Sequence, residues 1–432
     1  MTETTSDGPI VRLRRLRAHE IPAMRREPID SEALATAATI VSDVRKDGWP
    51  AAIRHAERLG DIKPGAPAIV PAESLAAAVE AVGSETAALL RRTADQIRVF
   101  AEAQRQTTTE TMIEVPGGTM GQSVAPVARA GCYAPGGRFP LPSTVLMTAV
   151  TARAAGVEEV WVASPRPAPA TLAAAAIAGV DGFLAIGGAQ AIAALTYGAG
   201  PVPAVDAVVG PGNRWVTAAK QLVSGTVIID MLAGPSEVLV VADDTADPDV
   251  VCADMLAQCE HDSDASAILV TPSAWLADAV DEALNTQLSD LPTAATARAA
   301  LQNSYTVLVG DLEEACEVAN ALAPEHLEVV TRDPTPVVQR LQHYGALFIG
   351  TGAAEVLGDY GVGPNHTLPT GGTARSYGGL SVHTFLRVRT WMKFDKKTTE
   401  ERVYRDAANF ARLEGLEAHA RSAERRLTPS KG

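Results

Sequence analysis

From about residue 128 onward, short runs of β-branched and apolar residues alternate with alanine-rich stretches of helical length, and the pattern occurs twice. The first set of runs is Ala128–Tyr133, Glu159–Ala163, Gly182–Ile186, Ala204–Val209 and Thr226–Ile229, with helical stretches near 142–155, 169–179, 189–198 and 213–223. After Gly234-Pro235-Ser236 the rhythm restarts with Glu237–Ala242, Ala265–Val270, Tyr305–Val309, His326–Thr331 and Ala346–Ile349. Strands that take turns with helices pair in parallel, through right-handed crossovers. The fold class is therefore α/β, with two Rossmann-like parallel-sheet domains spanning 128–235 and 236–382.

The flanks read differently. Residues 1–30 mix charged and apolar side chains and are expected to form an N-terminal helical arm. Residues 31–127 carry apolar positions at helical spacing, with Ser31 placed to cap, and are read as a helical segment packing with the second α/β unit. Residues 383–432 are charged and helical in pattern, a C-terminal tail polar enough to need something to rest on, such as a second subunit.

Composition narrows the partners. A formal charge of −14 argues against nucleic acid or an anionic membrane, since both require a basic face. No stretch approaches the roughly 18 apolar residues of a membrane span, and the polar N-terminus lacks the apolar core of a secretory signal, so a cytoplasmic location is expected. The cysteines Cys132, Cys252, Cys259 and Cys316 have no CxxC spacing and are read as reduced core residues.

Glycine-rich turns follow three strands of the first unit: Tyr133-Ala-Pro-Gly-Gly137, Gly187-Gly-Ala-Gln190 and Gly210-Pro-Gly-Asn213. A Gly-x-Gly-x-x-Gly fingerprint is absent, because Trp215 stands where the third glycine belongs. All three turns still lie at carboxyl ends of parallel strands, where open sheets bind cofactors, and their N–H groups at helix starts suit a phosphate.

The second unit carries the titratable clusters. Gln258 and His261, three apart, share a helix face; the pair suits a metal only if other donors join it, and otherwise His261 meets a helix C-terminus. Glu325-His326 lies at a helix-to-strand turn, able to divide acid and base roles or to sit solvated. Gly358–Thr370 holds Asp359, Asn365 and His366 among glycines and prolines that argue against regular helix. Glu414 and His419 share no face of an unbroken helix, although Gly415 can break one.

Taken in order, Tyr133-Ala-Pro-Gly-Gly137, Gly187-Gly-Ala-Gln190, Gly210-Pro-Gly-Asn213, Met231-Leu-Ala-Gly-Pro-Ser236, Ala257-Gln258-Cys-Glu-His261-Asp, Pro324-Glu325-His326-Leu327 and Gly358-Asp359-Tyr through Asn365-His366-Thr-Leu-Pro-Thr resemble histidinol dehydrogenase. The resemblance runs from about residue 30 to 425. It implies a zinc-containing, NAD-dependent homodimer that oxidises L-histidinol through the aldehyde to L-histidine. Gln258, His261, Asp359 and His419 would hold the zinc. Glu325 would activate water, and His326 would take the alcohol proton. Ser236, His366 and Glu414 would line the substrate site together with His326 and the metal ligands. Tyr133, Gln190 and Asn213 would contact NAD. The tail would carry Glu414 and His419 across to the partner's site. A zinc/NAD dehydrogenase of the same family acting on another small alcohol, such as a sulfopropanediol, is the alternative; a non-catalytic binding protein of the same fold is a third reading, against which Glu325 and His326 weigh.

Overall fold

The computed structural model describes residues 11–21, 31–136 and 140–427. The remainder of the expected arm (1–10 and 22–30), the end of the first glycine turn (137–139) and the last five residues lie outside the described residues. Two units are distinguished: residues 1–104 with 127–385, and residues 105–126 with 386–432.

The larger unit contains both parallel sheets, each six-stranded among the described residues. The first has the order Ile69–Val70, Gly182–Leu184, Glu159–Ala163, Arg129–Tyr133, Ala207–Val209, Ile228–Ile229. Its central strand is Arg129–Tyr133, flanked in parallel by the two strands that carry the register Cys132↔Val162 and Cys132↔Val209. Only the two-residue strand Ile69–Val70 runs antiparallel. The second sheet has the order Arg14–Arg17, Tyr305–Leu308, Ser266–Thr271, Glu237–Ala242, His326–Val330, Ala346–Ile349, all parallel. Strands buried on both faces are near-continuously apolar, which is why these runs are visible in the sequence.

Two expectations fail here. The described part of the N-terminal arm is helical only in the single 3-10 turn Ala18–Glu20: Arg14–Arg17 before it is an edge strand beside Tyr305–Leu308. Leu13 and Leu16, an odd number of residues apart, enter the cores on opposite sides of the second sheet. Arg15 is held by Asp281 at 2.7 Å and by the Thr306 hydroxyl at 2.8 Å. Helices Ser31–Asp47 and Trp49–Arg58 pack on the first α/β unit, not the second: Ala33, Ala37, Ile40, Val44, Ala52 and Ala56 join one core with Ala189, Ile192 and Val216. Small side chains on both surfaces let these helices approach closely. Within 31–127, the helix Ser84–Gln106 does meet the second α/β unit, with Thr93, Gln96 and Phe100 beside Gly361 and Gly363.

In the smaller unit, Thr111–Val115, Gly118–Pro126 and Leu386–Phe394 form a three-stranded antiparallel sheet, where a helical segment and a helical tail were expected. The tail becomes helical only at Glu401–Leu413 and Glu417–Glu424. All four cysteines are free and buried. No helix among the described residues is long and apolar enough to cross a membrane.

Candidate active site

Strand Glu237–Ala242 lies beside strand His326–Val330, and Val238 pairs with His326. The residues just before these strands therefore meet. Ser236 Oγ donates to Glu325 Oε2 at 2.5 Å, and the Glu237 backbone N–H donates to the same oxygen at 3.0 Å. The carbonyl of that same Glu237 lies 3.3 Å from His326 Nδ1. One residue's backbone thus orients both members of the Glu–His pair. A proton on Nδ1 that faces a carbonyl leaves Nε2 as the ring's basic nitrogen. Both side chains are buried, and His326 Nδ1 lies 3.8 Å from Glu325 Oε2. Burial lifts the Glu325 carboxyl to about 7, against the pull of His326 and the Ser236 hydrogen bond. Burial lowers the His326 imidazole, but the nearby Glu325, Glu355 and Asp359 carboxylates raise it further, so its net shift is upward.

Gln258 is fully buried near the C-terminus of helix Pro248–Cys259, and His261 lies in the turn that follows. His261 Nε2 is 3.6 Å from both Glu355 Oε1 and Asp359 Oδ2, and ligand atoms of these three side chains lie within 4.8 Å of one another. The Glu355 carboxylate beside it, with Asp359 nearby, holds the His261 imidazole up at about 9. Asp359 also approaches His366, whose Nδ1 is 3.6 Å from Asp359 Oδ1 and whose Nε2 is 3.3 Å from Thr144 Oγ1. Burial lowers the His366 imidazole. Asp359 does not sit in an irregular loop: it belongs to a short helix, Glu355–Tyr360, that runs through Gly358 and ends at Gly361 with φ +144°. The irregular backbone begins only after that glycine.

Glu355, not anticipated from the sequence, starts this helix and is almost inaccessible. It lies four residues before Asp359, the spacing that places two side chains on one helix face; that spacing was the available signal. Behind it, Glu328 Oε1 accepts the Glu355 backbone N–H at 2.8 Å. Glu328 also hydrogen-bonds Asp254, one turn before Gln258. Burial raises these two carboxyls to about 8 and about 6.

On the first sheet, the Tyr133 hydroxyl accepts the Gly188 N–H at 3.2 Å. The N–H of Gly187 does not stand free for a phosphate: it donates to Asp61 Oδ2 at 2.9 Å, and the Gln190 amide donates to the same oxygen at 2.8 Å. Asp61 reaches this position from the turn after helix Trp49–Arg58, a segment with no motif of its own. Gln190 Oε1 is buried with no hydrogen-bond partner among the described residues. Asn213 is exposed and caps helix Arg214–Val223 through Trp215 and Val216. Behind that turn, Gly210 is gripped at both ends: its N–H donates to Asp230 Oδ2 at 2.7 Å, and its carbonyl accepts from Lys220 Nζ at 2.9 Å. Lys220 and Asp230 themselves form a buried ion pair.

The structure therefore brings Ser236, Gln258, His261, Glu325, His326, Asp359 and His366 into one connected cluster, with the Tyr133, Gln190 and Asn213 turns on the neighbouring sheet. Glu414 and His419 belong to the smaller unit, both exposed, one ending helix Glu401–Leu413 and the other within Glu417–Glu424. Gly415, at φ +77°, breaks the helix between them.

A buried Glu–His pair beside an imidazole–carboxylate cluster, on a doubled parallel-sheet frame, defines an α/β dehydrogenase. Residues 23–427 match the family model for histidinol dehydrogenase. The chain is 45% identical over 403 residues to the histidinol dehydrogenase of Aquifex aeolicus, covering 93% of this chain and 94% of that protein. It is 51% identical over 311 residues to that of Thermus thermophilus, covering 72% and 75%. The crystal structure of histidinol dehydrogenase from Elizabethkingia anophelis superposes with a TM-score of 0.89 at 31% identity, over 96% of this chain and 98% of that one. The chain belongs to the histidinol dehydrogenase family.

Proposed function

We propose that the chain oxidises L-histidinol in two NAD-dependent steps, through L-histidinal to L-histidine, in histidine biosynthesis. The observation that carries this reading is the pairing of Glu325 with His326 over a single backbone residue. In the first oxidation, His326 Nε2 takes the hydroxyl proton as hydride leaves the carbinol carbon for the cofactor. In the second, Glu325 takes a proton from the water that adds to the aldehyde carbon; the hydrate anion so formed gives hydride to a second NAD, and the resulting acid releases its remaining proton to solvent as the carboxylate. Tyr133, Gln190 and Asn213 contact NAD, and the unpartnered Gln190 Oε1 is available to it.

The donor set fits zinc: the His261 imidazole and the Asp359 carboxylate lie in one cluster with Glu355, the Gln258 amide adjoins Glu355, and Gln258 and His419 would complete the four ligands. Zinc, when bound, would hold the substrate's amine and imidazole nitrogens and so fix the carbinol near His326. Ser236, His366 and Glu414 complete the substrate contacts. The active form is a cytoplasmic homodimer in which each tail supplies Glu414 and His419 to the partner's site. Apolar side chains exposed on the smaller unit, among them Met392, Phe410 and Leu413, support that assembly.

The test is NADH formation with histidinol, with sulfopropanediol as competitor substrate, before and after chelation. Turnover of histidinol that chelation abolishes and zinc restores is expected; turnover of sulfopropanediol alone would replace this reading with the sibling activity. Tail exchange predicts that mixing His326→Phe with His419→Asn subunits recovers activity that neither homodimer has. Confirmed heterodimers without recovery would exclude it.

A further inference from the structure

A glutamine is an ambiguous metal ligand. Its amide oxygen can coordinate, but its nitrogen lone pair is delocalised into the carbonyl, and the two ends are nearly alike in shape. Something must decide which end faces the metal. Around Gln258 the neighbours do so. On one side stands Glu355, buried to 1% exposure, which as a carboxylate only accepts. The end of Gln258 facing it must therefore be the NH2 group, which then lies 3.1 and 3.2 Å from the two Glu355 oxygens. The Gln258 oxygen is directed the other way, 3.0 Å from Ser236 Oγ. The Ser236 hydroxyl, which also donates to Glu325 at 2.5 Å, can fill at most one of the two lone pairs of this oxygen, so one is left for another partner. Glu355 cannot turn away easily, because its own N–H is anchored to Glu328, two residues after His326 on the same strand.

We propose that Glu355 is the positioning residue of the metal centre: it does not bind the zinc but turns the Gln258 amide so that oxygen, not nitrogen, is presented. The inference rests on the zinc reading above. It differs from the simpler view of the His261–Glu355–Asp359 cluster, in which Glu355 is itself a ligand.

The two views separate on a swapped pair. Zinc affinity is measured by competition with a chromophoric chelator, and ligand geometry by the absorption of the Co(II)-substituted protein, on full-length wild type, Gln258→Ala, Glu355→Gln, and the double variant Gln258→Glu/Glu355→Gln. Loss of an orienting partner typically weakens metal binding about 10–100-fold, and that is expected of Glu355→Gln. The swapped pair should recover most of the loss, because a carboxylate at 258 offers oxygen whichever way it turns, while an amide at 355 donates to its second oxygen. Wild-type-like zinc affinity in Glu355→Gln, or a swapped pair no tighter than that single variant, overturns the proposal. Wild-type protein that binds no zinc, or whose binding is indifferent to Gln258→Ala, removes the metal reading and the proposal with it. Zinc binding that needs Gln258 but not Glu355 removes the proposal alone. Circular dichroism and thermal melting of each variant confirm that the fold is intact.

Discussion

Glu328 and Asp254 show what burial does to a pair of acids with no cation to share. Glu328 Oε2 is buried with no hydrogen-bond partner among the described residues while both oxygens are acceptors, and the Asp254 carboxyl lies beside Glu328. Two carboxylates are both acceptors, so the contact needs a proton between them. Both folded-state values, about 8 and about 6, lie above the ordinary carboxyl range. The folded chain therefore holds protons that the unfolded chain has released, and the pair's contribution to stability is full at low pH and is lost as pH rises through about 6 to 8. Glu328→Gln mimics the protonated form and keeps an oxygen for the Glu355 N–H. It should flatten the loss of stability across that window, as read from urea midpoints at several pH values. The proposed metal ligands predict a second pH effect. With His261 held protonated up to about 9, zinc must displace a proton to bind, so metal uptake below that value should release protons and tighten as pH rises. Proton release on zinc addition in weak buffer measures it. At this scale, most of the cluster was legible, because Gln258, His261, Glu325-His326 and Asp359-to-His366 lie in ordered motifs. Glu355 and Asp61 were not. One lies just before the Gly358–Thr370 stretch, outside every motif, and the other in a turn outside the repeating pattern; each acts on a residue far away in sequence.

Among the elements, the turn after strand Ala207–Val209 makes the clearest demand on its residues. Gly210 has φ +115°, and a Cβ there would stand 2.0 Å from the Tyr133 carbonyl oxygen. Two turns of the cofactor face are thus pressed together, and any side chain at 210 would push them apart. Lys220 and Asp230 keep the same residue in place from behind, with side-chain exposures of 2% and 0%. Lys220→Met leaves Asp230 charged and unpaired in the interior, which typically costs about 3–5 kcal/mol. The expected outcome is a lower denaturation midpoint together with a raised KM for NAD and a smaller change in the KM for histidinol. Equal changes in both would show that the pair does not act through this turn. The parallel strands were legible because their runs are apolar on both faces. The antiparallel sheet was not, since Thr111–Val115 is exposed through its first four residues and Leu386–Phe394 is exposed nearly throughout. Neither carries the alternation that marks a half-buried strand. The helix Glu355–Tyr360 was hidden by Gly358, which is tolerated in a turn and a half of helix that packs on Phe348.

For the whole molecule, the distribution of exposed apolar side chains carries the argument. Met392 and Leu413 are 76% and 83% exposed, with Met112 and Phe410 also largely bare, all within the smaller unit. The homodimer proposed above predicts that replacing Leu413 with Asp shifts the sedimentation profile from dimer toward monomer and lowers activity in parallel. A variant that stays dimeric and fully active would place the interface elsewhere. The helical reading of residues 31–60 was sound, but its docking partner was not legible: an alanine-rich face fits either sheet's helices, and only the assembled core shows that it fits the first.

The edge strand Arg14–Arg17 has a consequence for how such a chain is made. It emerges from the ribosome about 290 residues before its partner Tyr305–Leu308. At about 5–20 residues per second, that is roughly 15–60 s of synthesis during which the strand has nowhere to pair. The segment between, including the whole first sheet, can fold in that interval. The arginines at 14, 15 and 17 then serve a second purpose: they keep an orphaned strand soluble and unattractive to other edges while it waits.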